Sequence, residues 1–194
     1  MLAYKGFTKD LRATLGKGRA YTANELVVEE SSKCASRGLH CAENPLDCFT
    51  YYSLNERNVF WLVEAGGSID EDGCDSKIAC TELKLLKELS VKGLAGHAMM
   101  YMVNHPLREW ERNNCSCVVA RDKAQGSQWK IAIARGEDPC VSGKAGSVLG
   151  LIREVNGEIT AARVFEIDGI SYQSDTWYVL DSQGKVHPKE VAAE

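Results

Sequence analysis

No apolar run in the 194 residues reaches the ~18 that a membrane-crossing helix needs. The first residues, MLAYKGFTKDLR, lack the apolar core of a secretory signal, so export is not expected. An excess of basic charge is missing too. Lys and Arg number 23 against 27 Asp and Glu, a net charge of −4. Proteins that grip a phosphate backbone are usually basic, so direct nucleic-acid binding is disfavoured. There is no G-x-S-x-G elbow, Walker loop or H-E-x-x-H, and Gly16-Lys17-Gly18 is too short to cradle a phosphate. C-x-x-C is also absent. Cys34, Cys41 and Cys48 are spaced by seven, and Cys115 and Cys117 would share one face of a strand. The eight cysteines therefore read as reduced, mostly buried thiols. Asp70 to Asp75 is acidic but fails the spacing of a calcium loop. No metal and no cofactor is predicted, and no catalytic residue stands out.

What the chain does have is ordinary globular composition, 44% hydrophobic and 26% charged. Residues 2 to 7 read as a first strand ended by Gly6, with Thr8 capping a brief helical turn. Gly38 to Cys41 reads as a short strand running into Asn44-Pro45. Asn44 suits a helix N-cap and Pro45 the first helical position. Leu46, Phe49 and Tyr52 then share one apolar helix face. Val59 to Ala65 is a strand by its β-branched and aromatic content. Lys77 to Leu89 fits either period, and propensity favours helix. Val91 to Val103 is a helix, and Pro106 begins a second short one through Trp110.

After Asn114 the grammar changes to short extended runs separated by turns. Turns are expected at 124–126, 136–139, 143–146, 156–157, 168–169 and 183–184. Asn156-Gly157 between alternating runs signals a type I′ hairpin. Small residues such as Ala120, Ala132, Ala134, Gly143 and Gly150 suit closely stacked coils. The fold class expected is therefore α+β. An α/β-mixed domain over 1–112 precedes a β-rich, solenoid-like domain over 113–194 with capping hairpins.

Several motifs carry a resemblance. They are Tyr4-Lys5-Gly6-Phe7, Gly38 to Asp47 (GLHCAENPLD), Tyr51-Tyr52, Val63-Glu64-Ala65, Asp75 to Ala79, Ala161 to Val164 and Asp175 to Tyr178. On these the chain resembles an uncharacterised family of phage and prophage proteins. The resemblance implies that Lys77 to Leu89 is a strand, against propensity. It also implies an accessory protein of a mobile element in the bacterial cytoplasm. Such a protein would bind a host protein or protein–nucleic acid complex, for example to inhibit a defence system such as CRISPR-Cas. His40, Glu43, Asn44 and the acidic residues Asp70, Glu71, Asp72 and Asp75 are the candidate binding residues. A homodimer is a further expectation, since a short β-stack exposes its ends. The alternatives are a structural or assembly role and an enzyme. The order of a first strand, Gly38-Leu39-His40, a helix with Tyr51-Tyr52 and a long strand is loosely similar to ADP-ribosyltransferases. Those hold NAD with His or Arg on the first strand; here that strand offers Lys5, and no Glu is clearly placed.

Overall fold

The computed structural model describes residues 1–15, 18–73, 75–128 and 130–190. Gly16 and Lys17 of the glycine-rich stretch, and Cys74 of the acidic segment, lie outside them. The fold is mostly β, 51% strand against 11% helix, in two sheets. This overturns the expected α+β class. Two compact units divide the chain, Met1–Ser90 and Val91–Glu194. The division falls ahead of the α-helix, where the sequence had suggested 112/113. Among the described residues no helix is long and apolar enough to cross a membrane.

The first unit contains β1 (Leu2–Thr8), β2 (Leu26–Val28), β3 (Leu39–Ala42), β4 (Asn58–Glu71) and β5 (Lys77–Leu89). Its described residues hold no α-helix. The three-residue spacing of Leu46, Phe49 and Tyr52 produces only a 3-10 helix, Pro45–Thr50. Thr8 caps no helix either, but ends β1 and accepts a hydrogen bond from the Arg12 N–H in a turn. β5 is a strand against its own propensity because both of its edges are taken. β3 and β2 pair on one side and β4 on the other. That pairing, with Ile78, Cys80, Leu83 and Leu85 buried in one core, outweighs the weak intrinsic preference for helix.

Pairings β1–β4, β4–β5, β5–β3 and β3–β1 run full circle. The last is the weak seam, a single register pair, Tyr4↔Ala42. Inside lie Ala3, Phe7, Leu39, Cys41, Val63 and Leu85 with their neighbours. On the outer face Gly6 lets the Tyr52 ring rest directly on β1: a Cβ there would stand 2.5 Å from Tyr52 Cδ2. Gly6→Ala must push the ring away, so thermal unfolding should show a loss of about 1–3 kcal/mol.

The second unit opens with α1 (Val91–Asn104). It buries Leu94, Ala95, Ala98, Met99 and Met102, and it packs on β9 (Val148–Val155) and β10 (Glu158–Glu166). No helix follows Pro106; a single turn closes there, Arg108 N–H donating to the His105 carbonyl, and the Pro106 carbonyl accepts from Arg135. The remaining strands are β6 (Arg112–Asn113), β7 (Cys117–Gly126), β8 (Ile131–Gly143), β11 (Tyr178–Leu180) and β12 (Val186–Pro188). β7–β8 and β8–β9 are parallel, with Cys117↔Ile131 and Ile131↔Val148 in register. Antiparallel pairs β6–β7, β9–β10, β8–β11 and β11–β12 complete the sheet. Two parallel pairings bounded by antiparallel ones do not make the expected solenoid.

Two expected turns are absorbed into strands. Residues 124–126 end β7, and 136–139 run through the middle of β8. The cause is a shared corner. Asp122 bulges at φ 58° where the β7–β8 register slips, and its carboxylate occupies the space beside Gly136, where a Cβ would sit 1.8 Å from Oδ1. The ladder jumps there from Arg121↔Arg135 to Lys123↔Cys140, so 136–139 pair with no residue of β7. The Asn156-Gly157 hairpin is as expected, with positive φ at both residues (51° and 82°).

Candidate functional site

The site follows from the weak seam. β1 and β3 separate after one register pair, and the opening between them is a pocket of about 570 Å³ within the first unit. Along β1, Ala3 and Phe7 face the core. Side chains two apart share a face, so Lys5 stands where the alternation calls for an apolar residue. It is 8% exposed. Its Nζ donates to the backbone carbonyl of His40, 2.5 Å away across the seam. The same Nζ lies 5.5 Å from the Phe7 ring centroid and 5.6 Å from that of Tyr21. Burial lowers the Lys5 pKa, and only the nearby thiols of Cys41, Cys48 and Cys80 oppose this.

Two of those thiols are poor counter-ions. Burial pushes Cys48 up to about 12. Cys41 is raised well above the usual thiol range by its hydrogen bond with Cys80 and by burial. The Cys80 Sγ lies 3.2 Å from the Leu39 carbonyl, and the hydrogen bond it takes from Cys41 lowers its pKa. Tyr21, also lining the pocket, is held at about 12 by burial. The pocket's carboxylates are engaged elsewhere. Asp47 accepts from Ser76 Oγ at 2.7 Å and from Ser76 N at 3.2 Å. Glu29 pairs with Arg19. Lys77 donates to the Tyr51 hydroxyl at 3.1 Å and lies 3.6 Å from Asp72. That hydrogen bond to Tyr51, with the nearby carboxylates, raises its pKa. Arg37 lines the pocket too and is exposed.

His40 also lines the pocket. Its Nε2 is buried and makes no hydrogen bond. Burial lowers its pKa, and the charges of Lys5 and Lys77 lower it further. The other residues expected at a binding site are placed differently. Glu43 does not line the pocket, and its N–H donates to the Ser76 carbonyl. Asn44 is 1% exposed and caps the 3-10 helix, its Oδ1 accepting from Leu46 N at 3.1 Å. Asn44→Ala should therefore cost about 1 kcal/mol in a denaturant titration through the lost cap. Asp70 accepts from Cys34 N at 2.7 Å and lies 4.0 Å from Lys33. Asp75 accepts from Lys77 N at 2.7 Å. Glu71 ends β4, exposed. The acidic carboxylates thus close turns and pair with lysines more than they form an open face.

Sequence reasoning placed Lys5 only as a stand-in for a missing His or Arg. The signal for its burial was present in Ala3-x-Lys5-x-Phe7, a lysine at a core-facing register. Tyr21, carried by no regular element, left no such signal. Among the described residues no group of three His, Cys, Asp or Glu is arranged to hold a metal ion.

The profile of a family described as a domain of unknown function (DUF7666) matches residues 1–97. No curated protein and no solved structure matches the chain. The match spans half of the sequence and includes every residue of the pocket, and so the chain belongs to the DUF7666 family.

Proposed function

We propose that the Met1–Ser90 unit binds a small organic anion in the pocket between β1 and β3. The carrying observation is Lys5, a buried amine that lines the pocket and has, among the described residues, no carboxylate in ion-pair contact. Among lining side chains Lys5, Arg19, Arg37 and Lys77 are basic and Glu29 and Asp47 acidic; with Arg19 paired to Glu29, Lys77 beside Asp72 and Asp47 held by Ser76, Lys5 and Arg37 carry the balance. That balance favours a negative ligand, and the rings of Tyr21 and Tyr51 offer apolar contact to its body. The test is calorimetric titration of the full chain with inorganic phosphate, pyridoxine 5′-phosphate, AMP and NAD. Saturable binding of an organic phosphate, weakened about tenfold or more by Arg37→Ala, supports the reading. No binding of any of the four would overturn it.

A second reading is ADP-ribosyl transfer. The observation in its favour is that the first-strand cation Lys5 and the Tyr51-Tyr52 pair line one pocket. Against it, Glu29 is tied to Arg19. Incubation with labelled NAD and bacterial lysate separates the two: label on protein supports the transferase, and NAD binding without transfer supports the binder. For the chain as a whole we retain the proposal of a phage or prophage accessory protein. It would act in the bacterial cytoplasm on a host macromolecule, and the resemblance supports that reading. Affinity capture from host lysate, with and without substitution of Asp70, Asp72 and Asp75, tests whether the acidic segment contributes.

A further inference from the structure

We propose that Lys5 is a nucleophile, forming an imine with the carbonyl carbon of an anionic aldehyde or ketone held in this pocket. The inference rests on the pocket reading above and names the reactive group of its ligand. Four observations converge on it. Lys5 occupies a core-facing position on β1 yet lines the pocket. Its Nζ is oriented by one hydrogen bond, to the His40 carbonyl, and that contact takes only one of its hydrogens. Its neighbours are two aromatic rings and the thiols of Cys41, Cys48 and Cys80, and among the described residues no carboxylate forms an ion pair with it. Burial favours the neutral amine, which is the nucleophilic form. An exposed lysine is almost entirely protonated at neutral pH and lacks that lone pair.

The step balances without an oxidant or reductant. The Nζ lone pair forms a C–N bond as the carbonyl π pair moves to oxygen. A proton passes from nitrogen to that oxygen through water, giving the carbinolamine. Loss of the hydroxyl with one further proton releases water and leaves C=N. The basic residues Arg37 and Lys77 suit the ligand's anionic end, and Tyr51 a flat body.

Pyridoxal 5′-phosphate is the probe, carrying an aldehyde, a ring and a phosphate. Incubation of the full chain at neutral pH with borohydride capture, followed by peptide mass mapping, reads each lysine separately. Lys5 should carry about tenfold more label than exposed Lys9 or Lys144 for each unit by which its pKa is depressed. Pyridoxine 5′-phosphate, which has no aldehyde, should suppress the labelling. Label on exposed lysines alone, while pyridoxine 5′-phosphate still binds, would overturn the imine and leave the pocket reading standing. Label on exposed lysines alone with no binding of pyridoxine 5′-phosphate would overturn both. Equal labelling of Lys5 with and without pyridoxine 5′-phosphate would mean that the pocket does not hold the carbonyl compound as it reacts, and would overturn the proposal. The wild-type chain suffices, so the test does not depend on a variant folding.

Discussion

Lys5→Met should make the protein more stable and at the same time abolish borohydride-trappable carbonyl binding. Methionine matches the reach of the lysine stem without an amine to desolvate. The substitution loses one hydrogen bond to the His40 carbonyl, about 1 kcal/mol net. It removes the burial penalty of a charge with no counter-ion, several kcal/mol before relaxation. The balance favours Met by about 1 kcal/mol or more, about 5 °C in the melting temperature of a unit this size. The sign separates two roles. A lysine kept to pin the β1–β3 seam would make Lys5→Met destabilising, whereas one kept for chemistry makes it stabilising. The pH dependence carries the same information. The folded-state pKa of Lys5 lies below its ordinary 10.5, so the unfolded chain binds more protons between those two values. Wild-type stability relative to Lys5→Met should therefore rise with pH through that window. The penalty is complete below the depressed pKa and gone above 10.5. A pH-independent difference between the two melting curves would contradict a depressed pKa.

The second large effect is expected at Arg135, in the other unit. It is 1% exposed, on β8 between β7 and β9. Its Nε donates to Glu154 at 2.7 Å and its Nη2 to the Pro106 carbonyl at 3.0 Å. The guanidinium lies 4.9 Å from the Trp110 ring centroid, with Arg121 5.3 Å from the same ring. Arg135→Ala leaves Glu154 and that carbonyl without these partners and opens a void beside Trp110. Denaturant unfolding should show a loss of about 3–5 kcal/mol. Removing both charges as Arg135→Met with Glu154→Met should recover most of it, because an apolar pair leaves no orphaned charge. A double variant as unstable as Arg135→Ala would mean that the Pro106 and Trp110 contacts carry the effect. Trp110 fluorescence would report their loss directly.

Local chemistry was legible wherever it acted over a few residues. Asn44-Pro45 announced a capped helical turn, and the cap is there. Asn156-Gly157 announced the hairpin. Val91 to Val103 announced α1, because Leu94, Ala98 and Met102 recur on one face. The acidic segment misled in an instructive way. Asp70, Asp72 and Asp75 read as free negative charge, but Cys34 N–H and Lys33, far away in sequence, claim Asp70, and Lys77 claims the other two.

Sequence alone therefore determined some short-range features: the Asn44 cap, the Asn156-Gly157 turn, α1 and the β-rich character after residue 115. These depend on backbone sterics and on hydrogen bonds that span a few residues. Tertiary structure decided the rest. β5 is a strand because β2, β3 and β4 cover its edges, and no residue within it carries that information. The 136–139 segment lies inside β8 as an excursion opposite the Asp122 bulge of β7, with which it makes no register pair. Lys5 meets His40 because β1 and β3 close a ring of pairings with a single register pair, which leaves the seam open beside a buried amine. Burial and pairing free energies belong to contacts between distant segments, and only the assembled fold brings those segments together.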